Sequence, residues 1–126
     1  MGKTGMKLAV FASGSGSNFQ AIVEACRQGI CKGEVVVLIC DNPQAHALKR
    51  AQVLGIPVEI ITSNTVSSRA LFEEHIISVL QKYNVELIAL AGFMRLLSSD
   101  FLLRYPNKVI NIHPSLLPVF KGTHAI

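Results

Sequence analysis

The hydrophobic pattern of the chain alternates between two kinds of segment. Short runs that are apolar throughout are typical of strands buried on both faces of a sheet, and longer segments with apolar residues every three or four positions are typical of helices. The pattern predicts five strands, at 8–12, 34–40, 57–61, 86–91 and 109–112. It predicts four helices, at 18–27, at 45–54, from a cap at Ser67 or Ser68 to Tyr83, and from a cap at 98–100 to Tyr105.

This alternation predicts an α/β fold, with an open, mostly parallel, Rossmann-like sheet and helices on both faces. The 126 residues are enough for one core, and no repeat or linker divides them, so residues 1–126 are expected to form a single domain. Ligands of such sheets bind beyond the carboxyl ends of the strands. The loops after the first, fourth and fifth strands are therefore the candidate functional segments.

The third predicted helix is amphipathic and carries one of the four histidines. Its buried face is predicted to comprise Leu71, Phe72, His75, Ile76, Val79 and Leu80, which recur at helical spacing. The remaining histidines are His46, His113 and His124. No two histidines have the spacing of metal ligands, so no metal site is expected.

Composition excludes two classes of protein. Half of the residues are apolar, 16% are charged and the mean hydropathy is +0.42, which is too apolar for a disordered chain. The longest nearly uncharged apolar stretches, such as 35–40 and 87–94, are far shorter than the roughly 20 residues that a membrane-spanning helix needs. No membrane association is therefore expected.

The net charge of +4 is spread evenly along the chain. There is no basic block, Trp is absent and Tyr occurs twice, so the stacking aromatics of an RNA-binding sheet are missing. Nucleic acid is therefore not an expected partner, whereas a mildly basic surface suits a small anionic ligand. The sequence indicates no particular oligomeric state.

The three cysteines, Cys26, Cys31 and Cys40, are expected to be free thiols. Their odd number fits no closed disulfide framework, and the spacing of the first two is wrong for a zinc knuckle. Free thiols are typical of a reducing compartment. The polar first seven residues and the short apolar run after them do not form a signal peptide, so the protein is predicted to be cytoplasmic.

The loop after the first strand, at 13–18, consists entirely of small polar residues and glycine. Such residues let backbone N–H groups approach an anion closely, and the helix that follows adds a partial positive charge. The sequence therefore predicts a binding site for a monophosphate. The predicted phosphate-binding residues are Gly14, Ser15, Gly16, Ser17 and Asn18.

Other nucleotide-binding motifs do not fit this region. The loop lacks the lysine of a nucleoside triphosphate-binding loop, and Phe19 stands where a dinucleotide-binding fingerprint requires its third glycine. Asp41, after the second strand, is better explained as a turn residue than as a ribose-binding acid. A plain tight turn with Ser17 or Asn18 as the helix N-cap remains the structural alternative.

The segments after the fourth and fifth strands carry the other candidate chemistry. The apolar segment 91–97 either lines a flat hydrophobic ligand or begins a helix that packs on the core. Asn111 and His113 lie two residues apart at a strand end and therefore point to the same side. An amide and an imidazole there can stabilise a developing oxyanion and transfer a proton. The alternative is a turn asparagine beside a buried, satisfied histidine.

Three motifs, taken in chain order, resemble the glycinamide ribonucleotide formyltransferases, folate-dependent enzymes of purine synthesis. They are SGSGSN after the first strand, AGFMRLL after the fourth, and NIHPSLLP after the fifth, followed by Phe-Lys-Gly. The resemblance covers the whole chain. NIHPSLLP occurs in looser form in methionyl-tRNA formyltransferase and formyltetrahydrofolate deformylase, which carry additional domains.

The resemblance implies the formyltransferase fold and formyl transfer from 10-formyltetrahydrofolate to the amino group of glycinamide ribonucleotide, without a metal. It implies that Gly16, Ser17 and Asn18 hold the substrate phosphate. Asn111 would stabilise the oxyanion and His113 would act in proton transfer, and both would be catalytic. The implied folate-binding residues are Arg69, Met94, Arg95, Leu96, Leu97 and Asn111.

The chain departs from the family in one respect. The family has a third catalytic residue, an aspartate in a loop well beyond the NIHPSLLP motif, and the sequence to Ile126 contains no counterpart. The chain is therefore expected to be the N-terminal part of a longer enzyme, with the C-terminal part of the fold absent. The alternatives are a non-catalytic module that binds a mononucleotide or phosphate, and a hydrolase similar to formyltetrahydrofolate deformylase.

Overall fold

A computed structural model describes residues 5–62, 68–93 and 97–112. The strands are β1 (Met6–Ala12), β2 (Gly33–Cys40), β3 (Val58–Ile60), β4 (Leu87–Leu90) and β5 (Val109–Asn111). The helices are α1 (Ser17–Arg27), α2 (His46–Leu54), α3 (Arg69–Lys82) and α4 (Ser99–Arg104). All nine predicted elements are confirmed, each to within two residues at either end.

The five strands form one sheet in the order β3-β2-β1-β4-β5, and every neighbouring pair is parallel. The chain moves outward from β1 through β2 to β3 and then returns to the other side of β1. The direction of winding therefore reverses between β1 and β4, and ligands of open α/β sheets bind at such a reversal. The topology thus points to the carboxyl ends of these two strands.

The two faces of the sheet carry separate hydrophobic clusters, as the side-chain alternation of a strand requires. Leu8 and Val10 of β1 point into the cluster covered by α1 and α2. Ala9 and Phe11 point into the opposite cluster, which includes residues of α3 and α4. Helices on both faces are therefore confirmed. In the described part of the chain, no helix combines the length and the apolar character needed to cross a bilayer.

The buried face of α3 differs from the prediction at two positions. Leu71 is 53% exposed and His75 is also exposed, whereas Glu73 and Ile77 are buried. Leu71 and His75 are four residues apart and therefore share one stripe of the helix. That stripe lies next to the one that contacts the sheet, and tertiary packing, rather than apolar spacing alone, selected which stripe was buried.

Serine caps fix the start of both helices on this face. The Ser68 hydroxyl accepts a hydrogen bond from Leu71 N at 3.2 Å, which confirms Ser68 as the N-cap of α3, and Ser67 lies outside the described residues. The Ser98 hydroxyl accepts a hydrogen bond from Phe101 N at 3.1 Å and caps α4. These bonds satisfy N–H groups that a helix terminus otherwise leaves without a partner.

Candidate functional site

Main-chain hydrogen bonds join the carboxyl ends of β1, β4 and β5 at one edge of the sheet. Ala91 N donates to Phe11 O at 2.8 Å, and Ser13 N donates to Gly92 O at 3.2 Å, so the loops after β1 and β4 are in direct contact. Ile112 N donates to Leu90 O at 2.9 Å on the other side of β4. The three segments singled out by the sequence therefore converge on one edge, where the winding of the sheet reverses.

Gly16 determines how the predicted phosphate loop enters α1. It is the N-cap of the helix, in the left-handed region with φ of 78°, where glycine is favoured. A Cβ atom added to Gly16 would lie 2.7 Å from both the Cα and the Cβ of Ala47. Glycine is therefore required both by the backbone conformation and by the close approach of α2.

The alternative assignment of Ser17 or Asn18 as the N-cap is wrong, because α1 already begins at Ser17. The cap position belongs to Gly16, which has no side chain with which to cap the helix. Ser17 N donates a long, 3.3 Å hydrogen bond to Ser15 Oγ, and the other N–H groups of the first turn of α1 lie next to the positive end of the helix dipole, where an anion can bind. This geometry fits the predicted phosphate-binding loop at 14–18.

Successive carbonyl groups of the loop are held from the side of α2. Ser13 O accepts a hydrogen bond from Asn42 Nδ2 at 3.4 Å, and Gly14 O accepts one from Ala47 N at 3.0 Å. Ser15 O accepts one from Arg50 Nε at 2.7 Å. Each of these carbonyls thus has a partner on α2 or just before it, and the N–H of each of these peptides points the opposite way from its own carbonyl.

Sequence reasoning missed Arg50 and Asn42. Arg50 also donates from Nη1 to Gln20 Oε1 at 2.6 Å, so its guanidinium group joins the loop, α1 and α2. No local motif marks either residue, since Arg50 lies 35 positions from Ser15 and Asn42 lies 29 positions from Ser13. Only the close packing of α2 on the loop reveals their role.

Cys40, at the end of β2, is buried just before Asn42. Burial raises the pKa of its thiol, a backbone hydrogen bond at Asn42 lowers this pKa by less, and the charge of Asp41 raises it slightly further. Because the side chain is fully buried and therefore closed to reagents, the thiol is a structural rather than a nucleophilic group.

The predicted folate-binding segment is only partly described. Met94, Arg95 and Leu96 lie outside the described residues. Leu97 is half-buried and packs against the hydrophobic cluster below α3 and α4. On the other side of the gap, Phe93 packs edge-on against Phe11, with ring centroids 5.2 Å apart and an interplanar angle of 75°. Both flanks of the segment are therefore anchored to the same core.

Glu73 fixes the downstream flank of this segment. Its side chain is buried, with only 6% of the residue exposed. One carboxylate oxygen accepts a hydrogen bond from Ser98 N at 2.7 Å, and the other accepts one from the Ser98 hydroxyl at 2.5 Å. Because Ser98 is also the cap of α4, the carboxylate sets the position at which the loop after β4 becomes a helix.

Arg69 is the first residue of α3 and is exposed. It lines a pocket of about 290 Å³ between α3 and α4, together with Glu73, Ser98 and Asp100. The fold therefore brings Arg69 to the pocket that also contains Ser98, the residue after the predicted folate segment. This proximity is compatible with a shared ligand, although the two regions are far apart in the sequence.

Asn111 is the last residue of β5 and is exposed. It lies opposite Leu90 in the register of β4 and β5, so it sits at the same edge of the sheet as the loop after β4. His113 lies outside the described residues. Among the described residues there is no group of three or more His, Cys, Asp or Glu side chains that could hold a metal ion.

The similarity to known proteins extends along nearly all of the chain. Residues 6–126 match the family model described as Formyl transferase. The chain belongs to this family. The fold and the family resemblance expected from the sequence are both confirmed.

Two relatives indicate which formyl transferases the chain is similar to. Phosphoribosylglycinamide formyltransferase from Bacillus subtilis is 47% identical over 120 residues, which cover 95% of this chain and 62% of the relative. The trifunctional purine biosynthetic protein adenosine-3 from Gallus gallus is 39% identical over 120 residues, which cover 12% of its length. The chain thus spans less than two thirds of the length of these relatives.

Solved structures of formyl transferases share the architecture described above. Glycinamide ribonucleotide transformylase 1 from Geobacillus kaustophilus has a TM-score of 0.83 and 44% identity, with 97% of this chain and 65% of that chain covered. Phosphoribosylglycinamide formyltransferase from Brucella melitensis has a TM-score of 0.84 and 34% identity, with 97% and 64% covered.

Proposed function

We propose that this chain forms the substrate-binding part of an enzyme that transfers a formyl group from 10-formyltetrahydrofolate to the amino group of glycinamide ribonucleotide. The observation that carries the proposal is the loop at 14–18, in which α2 holds the carbonyls of Gly14 and Ser15 and a glycine occupies the N-cap position of α1. It lies where the winding of the sheet reverses, next to the loop after β4.

The phosphate of the ribonucleotide would bind the N–H groups of Gly14 to Asn18 and the positive end of the α1 dipole. Its role is to position the substrate, since no bond to phosphorus changes in formyl transfer. The ribose and the amino group would extend from the loop toward the ends of β4 and β5. The folate would bind beyond these strands, near Arg69 and the segment 94–97.

In the reaction, the substrate amine attacks the formyl carbon and negative charge develops on the formyl oxygen. Asn111 is exposed at the strand end and its amide would donate a hydrogen bond to this oxygen. His113, two residues further on, would transfer the proton that leaves the amine toward the folate nitrogen as the bond between carbon and that nitrogen breaks. We place this reaction in the cytoplasm, with no nucleic acid partner.

The proposal is tested by titrating the chain with glycinamide ribonucleotide and with its dephosphorylated nucleoside, with amide chemical shifts as the readout. The ribonucleotide is expected to shift the amides of residues 14–18, and the nucleoside is expected to bind much more weakly. A 10-formylfolate analogue is expected to perturb the neighbourhood of Arg69. Equal binding of the two nucleoside forms contradicts the phosphate site, and an unperturbed Arg69 region contradicts the folate site.

A non-catalytic mononucleotide-binding module is the second candidate. It is favoured by the fact that the phosphate loop and the groups that hold it all lie between Ser13 and Arg50, so that phosphate binding does not depend on the loops after β4 and β5. Both candidates predict phosphate binding, but only the enzyme predicts folate binding. In the full-length protein, formylated ribonucleotide identifies a transferase, whereas formate released by water would identify a hydrolase.

A further inference from the structure

Two cysteines meet where α1 ends and the chain turns toward β2. Cys26 lies in the last turn of α1, and Cys31 follows a left-handed turn at Gly29, with φ of 82°. Ile30 N and Cys31 N both donate to Ala25 O, at 2.9 and 3.2 Å. These bonds fold the chain back over the end of the helix, as glycine-terminated helices commonly do. This turn brings Cys31 back beside the last turn of α1, which carries Cys26.

The two side chains form part of one surface pocket. Cys26 and Cys31 both line a pocket of about 480 Å³, to which Lys32 and Glu34 also contribute. Cys31 is exposed and Cys26 is half-buried. The third cysteine, Cys40, is buried in the hydrophobic cluster covered by α1 and α2 and does not line this pocket.

The two thiols also interact with each other. Burial raises the pKa of the Cys26 thiol, and Cys31 raises it further through its charge and a side-chain hydrogen bond. The Cys31 thiol is accessible to a reagent because it is exposed, and the half-buried Cys26 thiol, whose raised pKa makes it the weaker nucleophile, is its neighbour and reacts second. This arrangement is that of an attacking thiol beside a resolving thiol.

We propose that Cys26 and Cys31 are a modification site at which a small disulfide, such as glutathione disulfide, introduces a reversible intramolecular disulfide bond. The Cys31 thiolate attacks one sulfur of the small disulfide, which forms a mixed disulfide and releases one small thiolate. The Cys26 thiolate then attacks the Cys31 sulfur, which releases the second thiolate. Two protein thiols are oxidised, one small disulfide is reduced, and the two protons pass to the released thiols.

The site is separate from the proposed formyl-transfer site. α1 runs from the phosphate loop at its start to Cys26 near its end, and β2 begins at Gly33, two residues after Cys31. The cysteine pair thus lies at the amino ends of the parallel strands, opposite the edge that carries Gly16 and Asn111. Its test does not depend on the proposed function.

The experiment treats the full-length protein with excess glutathione disulfide and measures thiols by intact mass and peptide mapping. We expect the thiols of Cys26 and Cys31 to disappear together, with a peptide linked between them, while Cys40 remains free. Dithiothreitol is expected to restore both thiols. A bond between two chains, or a linkage that includes Cys40, would overturn the proposal.

Single variants test the order of attack. In Cys26→Ser, the glutathione adduct on Cys31 is expected to accumulate, because no resolving thiol is present. In Cys31→Ser, the adduct is expected to be largely lost, and Cys40→Ser is expected to behave like the unmodified protein. Equal accumulation of the Cys31 adduct in the unmodified protein and in Cys26→Ser would show that the two thiols do not react with each other.

Discussion

The Nε atom of Arg50 donates a 2.7 Å hydrogen bond to the main-chain carbonyl of Ser15, across 35 residues of sequence. A side chain of α2 thus fixes a peptide group of the candidate phosphate loop. The same guanidinium group reaches Gln20 on α1 at 2.6 Å, so the loop is held between two helices. Arg50 is therefore a positioning residue for the proposed phosphate site, and it also adds positive charge beside that site.

Replacing Arg50 by methionine is expected to weaken binding of the ribonucleotide. Loss of a hydrogen bond from a charged donor commonly costs about 1.5–3 kcal/mol, which corresponds to roughly a tenfold to hundredfold change in affinity. The measurement is the Kd of the ribonucleotide, or its KM in the full-length enzyme. Lys49→Met is the matched control, because Lys49 is exposed on the same helix and its replacement removes the same charge. Equal weakening in both variants would indicate a general charge effect instead of positioning.

Gly16→Ala is expected to destabilise the protein and to remove phosphate binding. A left-handed conformation costs an alanine about 1–2 kcal/mol, and the added methyl group also meets Ala47 at 2.7 Å. Gly29→Ala is the control, because Gly29 has φ of 82° but nothing within 4 Å of an added Cβ. Urea unfolding is expected to show a larger loss for Gly16→Ala than for Gly29→Ala. Similar losses of stability in the two variants would mean that α2 shifts to accommodate the methyl group with little loss of free energy of unfolding.

Glu73→Gln is expected to weaken folate binding while leaving ribonucleotide binding nearly unchanged. The carboxylate accepts two hydrogen bonds from Ser98, and an amide can accept only with its oxygen, so one donor of Ser98 loses its partner. An unsatisfied buried group costs about 1–3 kcal/mol. The separate Kd values of a folate analogue and the ribonucleotide measure the effect.

The control for this prediction is Glu74→Gln on the same helix. Glu74 is exposed and pairs with Arg104 at 3.2 Å, and surface ion pairs of this kind contribute little. We expect Glu74→Gln to leave both affinities unchanged. If Glu73→Gln weakened the two ligands equally, its carboxylate would be stabilising the whole fold and not the folate segment in particular.

Asn111→Ala and His113→Ala are expected to abolish most turnover in the full-length enzyme without weakening ribonucleotide binding. Removal of one oxyanion donor commonly reduces kcat by about 10²–10³-fold. Asn111→Asp is a near-isosteric companion that removes the amide donor and is expected to lose as much activity. Steady-state kinetics with both substrates provide the measurement. A variant that kept most of its kcat would exclude the substituted residue from catalysis.

Much of the fold could be predicted because its signals are local. The apolar run at 35–40 and the turn after it predict a buried strand wherever it lies in the sheet. A cap within 98–100 followed from the residue types and their place before an apolar helix, and the structure selects Ser98 among them. The prediction failed where neighbouring stripes of one helix were similar, as at Leu71 and His75, which proved to be exposed. There the choice between stripes depended on what α3 packs against.

The sequence by itself determined the order and type of the elements, the small residues of the loop after β1 and the motifs of the family. Each of these depends on residues close together in the chain, through backbone preference and hydrophobic period. Only the tertiary structure decided that β4 lies beside β1, that Arg50 holds Ser15, and that Cys26 and Cys31 share a pocket. Such relationships depend on which surfaces pack together. That packing is determined by the burial of apolar residues from all parts of the chain in a common core, which no local pattern specifies.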